Sequence, residues 1–284
     1  MKFDLLEPNS VAEACSMLAQ HGEETKAIAG GTALLQFLKQ GLLHPTHLVN
    51  LSRLRELDGI VYDVDKGLRI GALSTHAALE SSPLLRRRFL LLAEVAHRVA
   101  SPRIRNMATL GGSLCHGDPN QDTPAALMAL DAQVRLVGPQ GERQVALEDF
   151  LVDYYETALA EGEILAQVLV PDVSPDTRWC HIKYTPRSTQ DFATVGVVVA
   201  LRMNERRVEG ARIVLNAVAH RVMRARRAEA LLLGQSPEDD LLAAAGREAA
   251  TEVEPLSDIR GSAGYKREMV AVFVQRSLRQ ALGV

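Results

Sequence analysis

Two glycine pairs, Gly30-Gly31 and Gly111-Gly112, constrain this chain more than any other feature in it. The first follows Thr25 to Ala29, which reads as a short buried strand. It precedes Leu34, Leu35, Phe37 and Leu38, whose spacing predicts a helix with Thr32 as its cap and Gly41 as its stop. The second lies in ATLGGSLCHGDPNQD, a stretch so rich in Gly, Asp and Pro that it predicts a loop. A short helix should follow, capped by Thr123 with Pro124 in its first turn. Neither pair fits GxGxxG or GxxxxGK[ST], so a conventional dinucleotide fold and a P-loop nucleotidase are both disfavoured.

Glycine lets a backbone N–H approach an anion closely, and a helix start adds donors that lack intrahelical partners. Hydrogen bonds to charged groups contribute about 1.5–3 kcal/mol each, against ~0.3–1 kcal/mol for an exposed helix dipole. Convergent amides should therefore dominate any anion site here. Taken singly, each glycine pair is an ordinary tight turn. Taken together, they suit a long ligand with a diphosphate, held at two places.

Further along, IVYDVDKGLRI predicts two strands around a turn at Asp65 to Gly67, and helices should cover Ser74 to Ser82 and Leu84 to Val99. Gln133 to Val145 predicts a hairpin, and Glu163 to Val170 a strand closed by Pro171. After Pro175 the pattern changes to strands near Ile182, at Val195 to Leu201 and at Ile213 to Ala219. A helical tail follows, in which Ser236, Pro237 and the acidic run Glu238 to Asp240 start one helix. The change places a boundary near residues 171–177. With 284 residues, 47% of them hydrophobic, the chain can build two domains or more.

A net charge of -3 gives no global reason to bind nucleic acid, and the arginines at 86–88 and within 221–227 read as solvated helix faces. The opening MKFDLLEPNS breaks any signal-peptide core with Asp4, Glu7 and Pro8, and no run reaches membrane-spanning length. A cytoplasmic protein without membrane insertion is expected. Cys15, Cys115 and Cys180 form no CxxC pair, so neither an iron-sulfur cluster nor a zinc site is expected from this chain alone. His116 lacks further ligands and is assigned to loop structure, and no serine-histidine-acid spacing stands out.

The segments AGGTALL at Ala29 to Leu35 and ATLGGSLCHGDPNQDTPAALMALDA at Ala108 to Ala132 resemble the FAD-binding medium subunits of the molybdenum hydroxylase family, of the carbon monoxide dehydrogenase and xanthine dehydrogenase type. The resemblance continues through LRIGALSTHAALE, EGEILAQVLVP, KYTPRSTQDFATVGVVVAL and SDIRGSAGYKREMV, nearly the whole chain. It implies an α+β protein. A PCMH-type FAD-binding domain would occupy residues 1–174, with subdomains of about 1–57 and 58–174, and a smaller C-terminal α+β domain residues 175–284.

The resemblance also implies the cofactor contacts. Ala29, Gly30, Gly31, Thr32, Ala33 and Leu34 would line FAD together with Ala108, Thr109, Leu110, Gly111, Gly112 and Ser113, the glycine backbones lying near the diphosphate. The family often carries Asn where Ser113 stands. Asp122 would accept hydrogen bonds from the sugar-like portion of FAD, while Asp118 would chiefly shape its loop. Ile164 and Leu165 match apolar positions beside the flavin, Phe192 an aromatic or apolar one, and Lys183 a cation that could stabilise negative charge on reduced flavin. As bare residues, Asp122 and Lys183 read instead as solvated, and Ile164, Leu165 and Phe192 as core.

The implied function is that of an FAD-binding electron-transfer subunit with no catalytic side chain and no metal of its own. A large partner would carry the molybdenum cofactor and a small partner the 2Fe-2S clusters, in a dimer of heterotrimers, with an external acceptor taking electrons from FAD. Two alternatives stand beside it. A self-contained FAD-dependent oxidase would need a substrate base, and none is evident. An assembly protein that has lost FAD would not need both glycine loops.

Overall fold

The computed structural model describes residues 2–284. Its first unit is a parallel sheet of β1 (Asp4–Leu6), β2 (Thr25–Ile28) and β3 (His47–Asn50), in the order β1-β3-β2. Parallel neighbours cannot be joined by a tight turn, and helices α1 (Val11–His21) and α2 (Leu34–Lys39) make the crossovers. Ser10 caps α1 by accepting from the Glu13 amide at 3.2 Å. The helix buries Ala14 and Cys15 with Val49, Leu51, Leu54 and Leu57.

The second unit begins with β4 (Ile60–Asp63) and β5 (Gly67–Gly71). Six helices follow: α3 (His76–Ser81), α4 (Pro83–Arg88), α5 (Leu90–His97), α6 (Pro102–Met107), α7 (Leu110–His116) and α8 (Asp122–Ala129). Then come β6 (Gln133–Gly138), β7 (Gly141–Ala146), the short α9 (Leu147–Phe150), the small hairpin β8 (Leu151–Asp153) and β9 (Glu156–Thr157), and β10 (Ile164–Val170). The five long strands form an antiparallel sheet in the order β4-β5-β10-β6-β7. Its centre, β10, is buried on both faces. Leu165, Val168 and Val170 pack among the helices, whereas Ile164 and Ala166 join the core of the first unit.

The chain then crosses to β11 (Thr177–Tyr184), β12 (Val195–Asn204), β13 (Arg207–Asn216) and β14 (Met223–Arg224), an antiparallel sheet in chain order. Helices α10 (Arg226–Leu232), α11 (Asp239–Thr251) and α12 (Ala263–Leu282) cover one face, burying Val195, Val197, Val199 and Leu201. The other face packs on α5 and α8, and there Val198, Ala200, Val214 and Val222 belong to the core of the second unit. A strand buried on both faces reads as a continuous apolar run, and VGVVVAL in β12 is one.

Fold class is α+β, as expected, but several local expectations are corrected. The helix predicted over Leu84 to Val99 is broken at Phe89, which leaves helical geometry (φ -134, ψ 49) as its ring enters the core. The loop predicted after Ala108 contains α7. Leu110 and Leu114, one helical turn apart, are fully buried, and Thr109 caps the start, which offsets the ~1 kcal/mol that each of the two helical glycines costs. Thr32 does not cap α2, which begins at Leu34 without a side-chain cap. Gln121, not Thr123, holds the cap position of α8, and the helix expected at Ser236 begins at Asp239.

Candidate functional site

In the first glycine loop, Gly31 adopts φ 69 between the end of β2 and the start of α2. Leu35 is the first amide to bond back, to the Gly31 carbonyl at 3.0 Å. Among the described residues, the N–H groups of Gly30, Thr32, Ala33 and Leu34, and of Gly31 itself, meet no protein acceptor. Five successive amides in a half-buried turn are thus left without protein acceptors, as an anion site requires.

The second loop uses its amides differently. Leu110 donates to the Ser74 carbonyl at 2.9 Å, Gly111 to that of Ala72 at 2.8 Å, Gly112 to Thr109 Oγ1 at 3.2 Å and Ser113 to the Thr109 carbonyl at 2.9 Å. A Cβ on Gly111 would sit 2.5 Å from the Ala72 Cβ, so glycine here lets α7 lie on the turn after β5. A Cβ on Gly30 would overlap the Met107 carbonyl oxygen and lie 2.7 Å from its carbon. The first loop therefore touches the chain at Met107 and Ala108, just ahead of the second.

Phe37 of α2 reinforces this junction, packing 5.2 Å from the His116 ring and 5.6 Å from that of Tyr155, centroid to centroid. Burial lowers the His116 pKa. His116 was expected in a loop but is the last residue of α7, where its ring packs 5.0 Å from that of Tyr155, centroid to centroid.

Beyond α7, Asp118 Oδ1 accepts from the Asn120 amide at 2.9 Å and its side chain at 2.6 Å, holding the loop as expected. Ser113 Oγ bonds Gln121 Oε1. Asp122 and Lys183, solvated on a bare reading, are neither. Lys183 Nζ lies 2.8 Å from Asp122 Oδ2, with side chains 5% and 4% exposed, and it also donates to the Arg98 carbonyl at 2.9 Å. Asn216 Nδ2 reaches Asp122 Oδ1 at 3.2 Å. Burial pushes the Asp122 carboxyl above its ordinary value, while Lys183 and Asn216 pull it back. Asn216 went unremarked in the sequence, where a lone polar residue ending an apolar strand carries no signal.

Ile164 and Leu165 are buried in β10 and face different cores, and Phe192 lies half exposed between β11 and β12, its ring centroid 6.0 Å from the Arg260 guanidinium carbon. Of the three, Leu165 is tied to the second loop, since its backbone accepts a hydrogen bond from the Cys115 thiol of α7. An open concavity of about 720 Å³, lined by Lys66, Arg69, Arg135 and Gln144 among others, lies on the sheet of the second unit and includes no residue of either loop.

Residues 1–173 match the FAD binding domain in molybdopterin dehydrogenase, and residues 181–281 the CO dehydrogenase flavoprotein C-terminal domain. The carbon monoxide dehydrogenase medium chain of Hydrogenophaga pseudoflava is 37% identical over 280 residues, covering 99% of this chain and 97% of that one. The 6-hydroxypseudooxynicotine dehydrogenase complex subunit alpha of Paenarthrobacter nicotinovorans is 32% identical over 281 residues, covering 99% and 94%. A solved carbon monoxide dehydrogenase from Hydrogenophaga pseudoflava, lacking the Mo-pyranopterin moiety of its molybdenum cofactor, superposes with a TM-score of 0.97 at 38% identity over 100% of this chain and 98% of that one. The chain therefore belongs to the family of FAD-binding medium subunits of molybdenum hydroxylases, and is an oxidoreductase subunit.

Proposed function

We propose that this chain holds FAD at its two glycine loops, receives electrons from the iron-sulfur clusters of a small partner subunit and passes them to an external acceptor. Substrate would be oxidised at a molybdenum cofactor on a large partner, and the assembly would be a cytoplasmic dimer of heterotrimers. The observation that carries the reading is the run of amides from Gly30 to Leu34 without protein acceptors, closed against Met107 where Gly30 has no Cβ.

The residues fit the group. A diphosphate needs backbone donors and no obstructing side chain, and five amides without protein acceptors beside two glycines support that reading. Residues 108–113, whose amides from Leu110 to Ser113 are bonded within the protein, would line the cofactor beside the first loop. Asp122 would accept from cofactor hydroxyls through its carboxylate, and Lys183 would place a desolvated cation at the same end. Ile164 and Leu165 would act as packed floor and Phe192 as an exposed rim. Bound FAD supplies a carrier that takes electrons one at a time and releases them singly or as a pair. We propose the same division as the sequence predicts, residues 1–174 with subdomains of about 1–57 and 58–174, and residues 175–284. No helix among the described residues is long and apolar enough to cross a membrane.

Rapid mixing with the holoenzyme's substrate tests the reading. The FAD should be reduced quickly only when the partner subunits are present. Fast, substrate-specific reduction of the purified chain alone would establish a self-contained oxidase instead. A folded chain that stays colourless and gains no thermal stability from excess FAD would remove the cofactor assignment, since FAD at one hundred times its Kd should add about 2.7 kcal/mol.

A further inference from the structure

Between α5 and α6 the chain turns through Arg98 to Ser101, and Ala100 takes a left-handed conformation with φ 39. Such a conformation costs ~1–2 kcal/mol for a residue with a Cβ and persists only where surrounding contacts impose it. Side chains from both domains impose it here. Arg105 of α6, 8% exposed, donates through Nη1 to the carbonyls of Val99 at 3.0 Å and Ala100 at 3.1 Å, and through Nε to Glu80 Oε2 at 2.7 Å. Glu80 Oε1 in turn lies 2.7 Å from His97 Nδ1. From the opposite side, Arg98 Nη1 donates to the His181 carbonyl at 3.2 Å, and the Arg98 carbonyl accepts from Lys183 Nζ at 2.9 Å.

An ammonium has three N–H donors. The Arg98 carbonyl and Asp122 take two of those on Lys183, and among the described residues nothing takes the third. The direction of that third donor depends on where the Arg98 carbonyl stands, and Arg105 holds the next two carbonyls of the same turn. Helix α6 also ends at Met107, whose carbonyl packs on Gly30. One guanidinium thus ties the support of Lys183 to the helix that walls the amide loop.

We infer that Arg105 is a positioning residue for the flavin site, fixing the Arg98–Ala100 turn so that Lys183 keeps a donor for the cofactor. The inference rests on the reading that Lys183 stands beside bound FAD. Glutamine at position 105 could not bridge two carbonyls and a carboxylate, and lysine, a point donor without the planar fork, would recover only part of the arrangement.

The test measures FAD affinity, flavin midpoint potential and Tm on the full FAD-loaded chain and on Arg105→Gln, Arg105→Lys and Lys183→Gln. Loss of a nearby cation should disfavour reduced flavin, so Lys183→Gln should shift the redox equilibrium about tenfold, or about 30 mV downward for a two-electron couple. Arg105→Gln should move the potential the same way, Arg105→Lys less, and the Arg105→Gln/Lys183→Gln pair no further than Lys183→Gln alone. Lower Tm in Arg105→Gln with wild-type affinity and potential would overturn the inference. Should Arg105→Gln not fold, a wild-type potential in Arg105→Lys does the same. If Lys183→Gln itself leaves the potential unchanged, the placement of Lys183 beside the flavin fails, and this inference with it. A shift in Lys183→Gln alone removes only the role of Arg105.

Discussion

Lys183 on β11 and Asp122 at the start of α8 join the C-terminal sheet to the second unit through an ion pair sealed from water, 2.8 Å between Nζ and Oδ2. Removing one member of a buried pair strands the other, at a cost of about 3–5 kcal/mol, whereas removing both can be nearly neutral. Asp122→Ala and Lys183→Met should each lose about that much in urea unfolding, and the double variant much less than their sum. Single losses below about 1 kcal/mol would mean that water reaches the pair.

Gly30 has no room for a side chain because the Met107 carbonyl occupies it. Gly30→Ala should cost about 1–3 kcal/mol by overpacking and weaken FAD binding as the loops part. Ser113→Ala, which loses only the contact with Gln121, should do neither to a comparable extent. Fluorescence titration of FAD into both variants checks the order. Equal affinities would separate the loop junction from the cofactor.

Stability should fall in mild acid. His76 and His181 are buried, and burial first, then neighbouring cations, pushes their pKa from 6.5 down to about 4 and about 3. Between those values and 6.5 the unfolded chain binds protons that the folded chain refuses. Their stabilising contribution is therefore complete above pH 6.5 and is lost as pH falls toward 4, about 3 kcal/mol for His76 across that window. The urea midpoint should drop from pH 7 to pH 5, and His181→Asn should flatten the profile. A pH-independent midpoint would contradict both burials.

Thr109 closes the first turn of α7 by accepting from the Gly112 amide. Thr109→Ala should lower stability by about 1 kcal/mol, with Thr109→Ser restoring most of it. Thermal unfolding of the three proteins is sufficient to compare them.

The first glycine loop was legible because its requirements are local. A strand, two glycines and an apolar helical spacing follow one another from Thr25 to Leu38. What each glycine does was not, because Gly111 answers to Ala72 and Gly30 to Met107, contacts that no local pattern records. Likewise Asp122 and Lys183 resembled surface residues until the fold placed Asn216 and the Arg98 carbonyl around them. Alternation was readable in the hairpin Gln133 to Val145, exposed on one side. It was absent from β12, where Val197 and Val198 face different cores and both need to be apolar. The helix α7 was missed because two glycines and a dense cluster of turn residues hid the spacing of Leu110 and Leu114.

The sheet face that carries Val198, Ala200, Val214 and Val222 has a consequence for how such a gene can be rearranged. Recombination between the two matched segments, anywhere from codon 173 to codon 181, falls in a convenient gap between them. Yet a chimera made there inherits half of a core from each parent, and mismatched volumes across α5, α8 and β12 would loosen the cofactor-bearing half along with the transplanted one. Exchange of the C-terminal segment between relatives should therefore succeed only when the donor brings that valine-and-alanine face intact, so the pair is inherited as a single block rather than as two interchangeable cassettes.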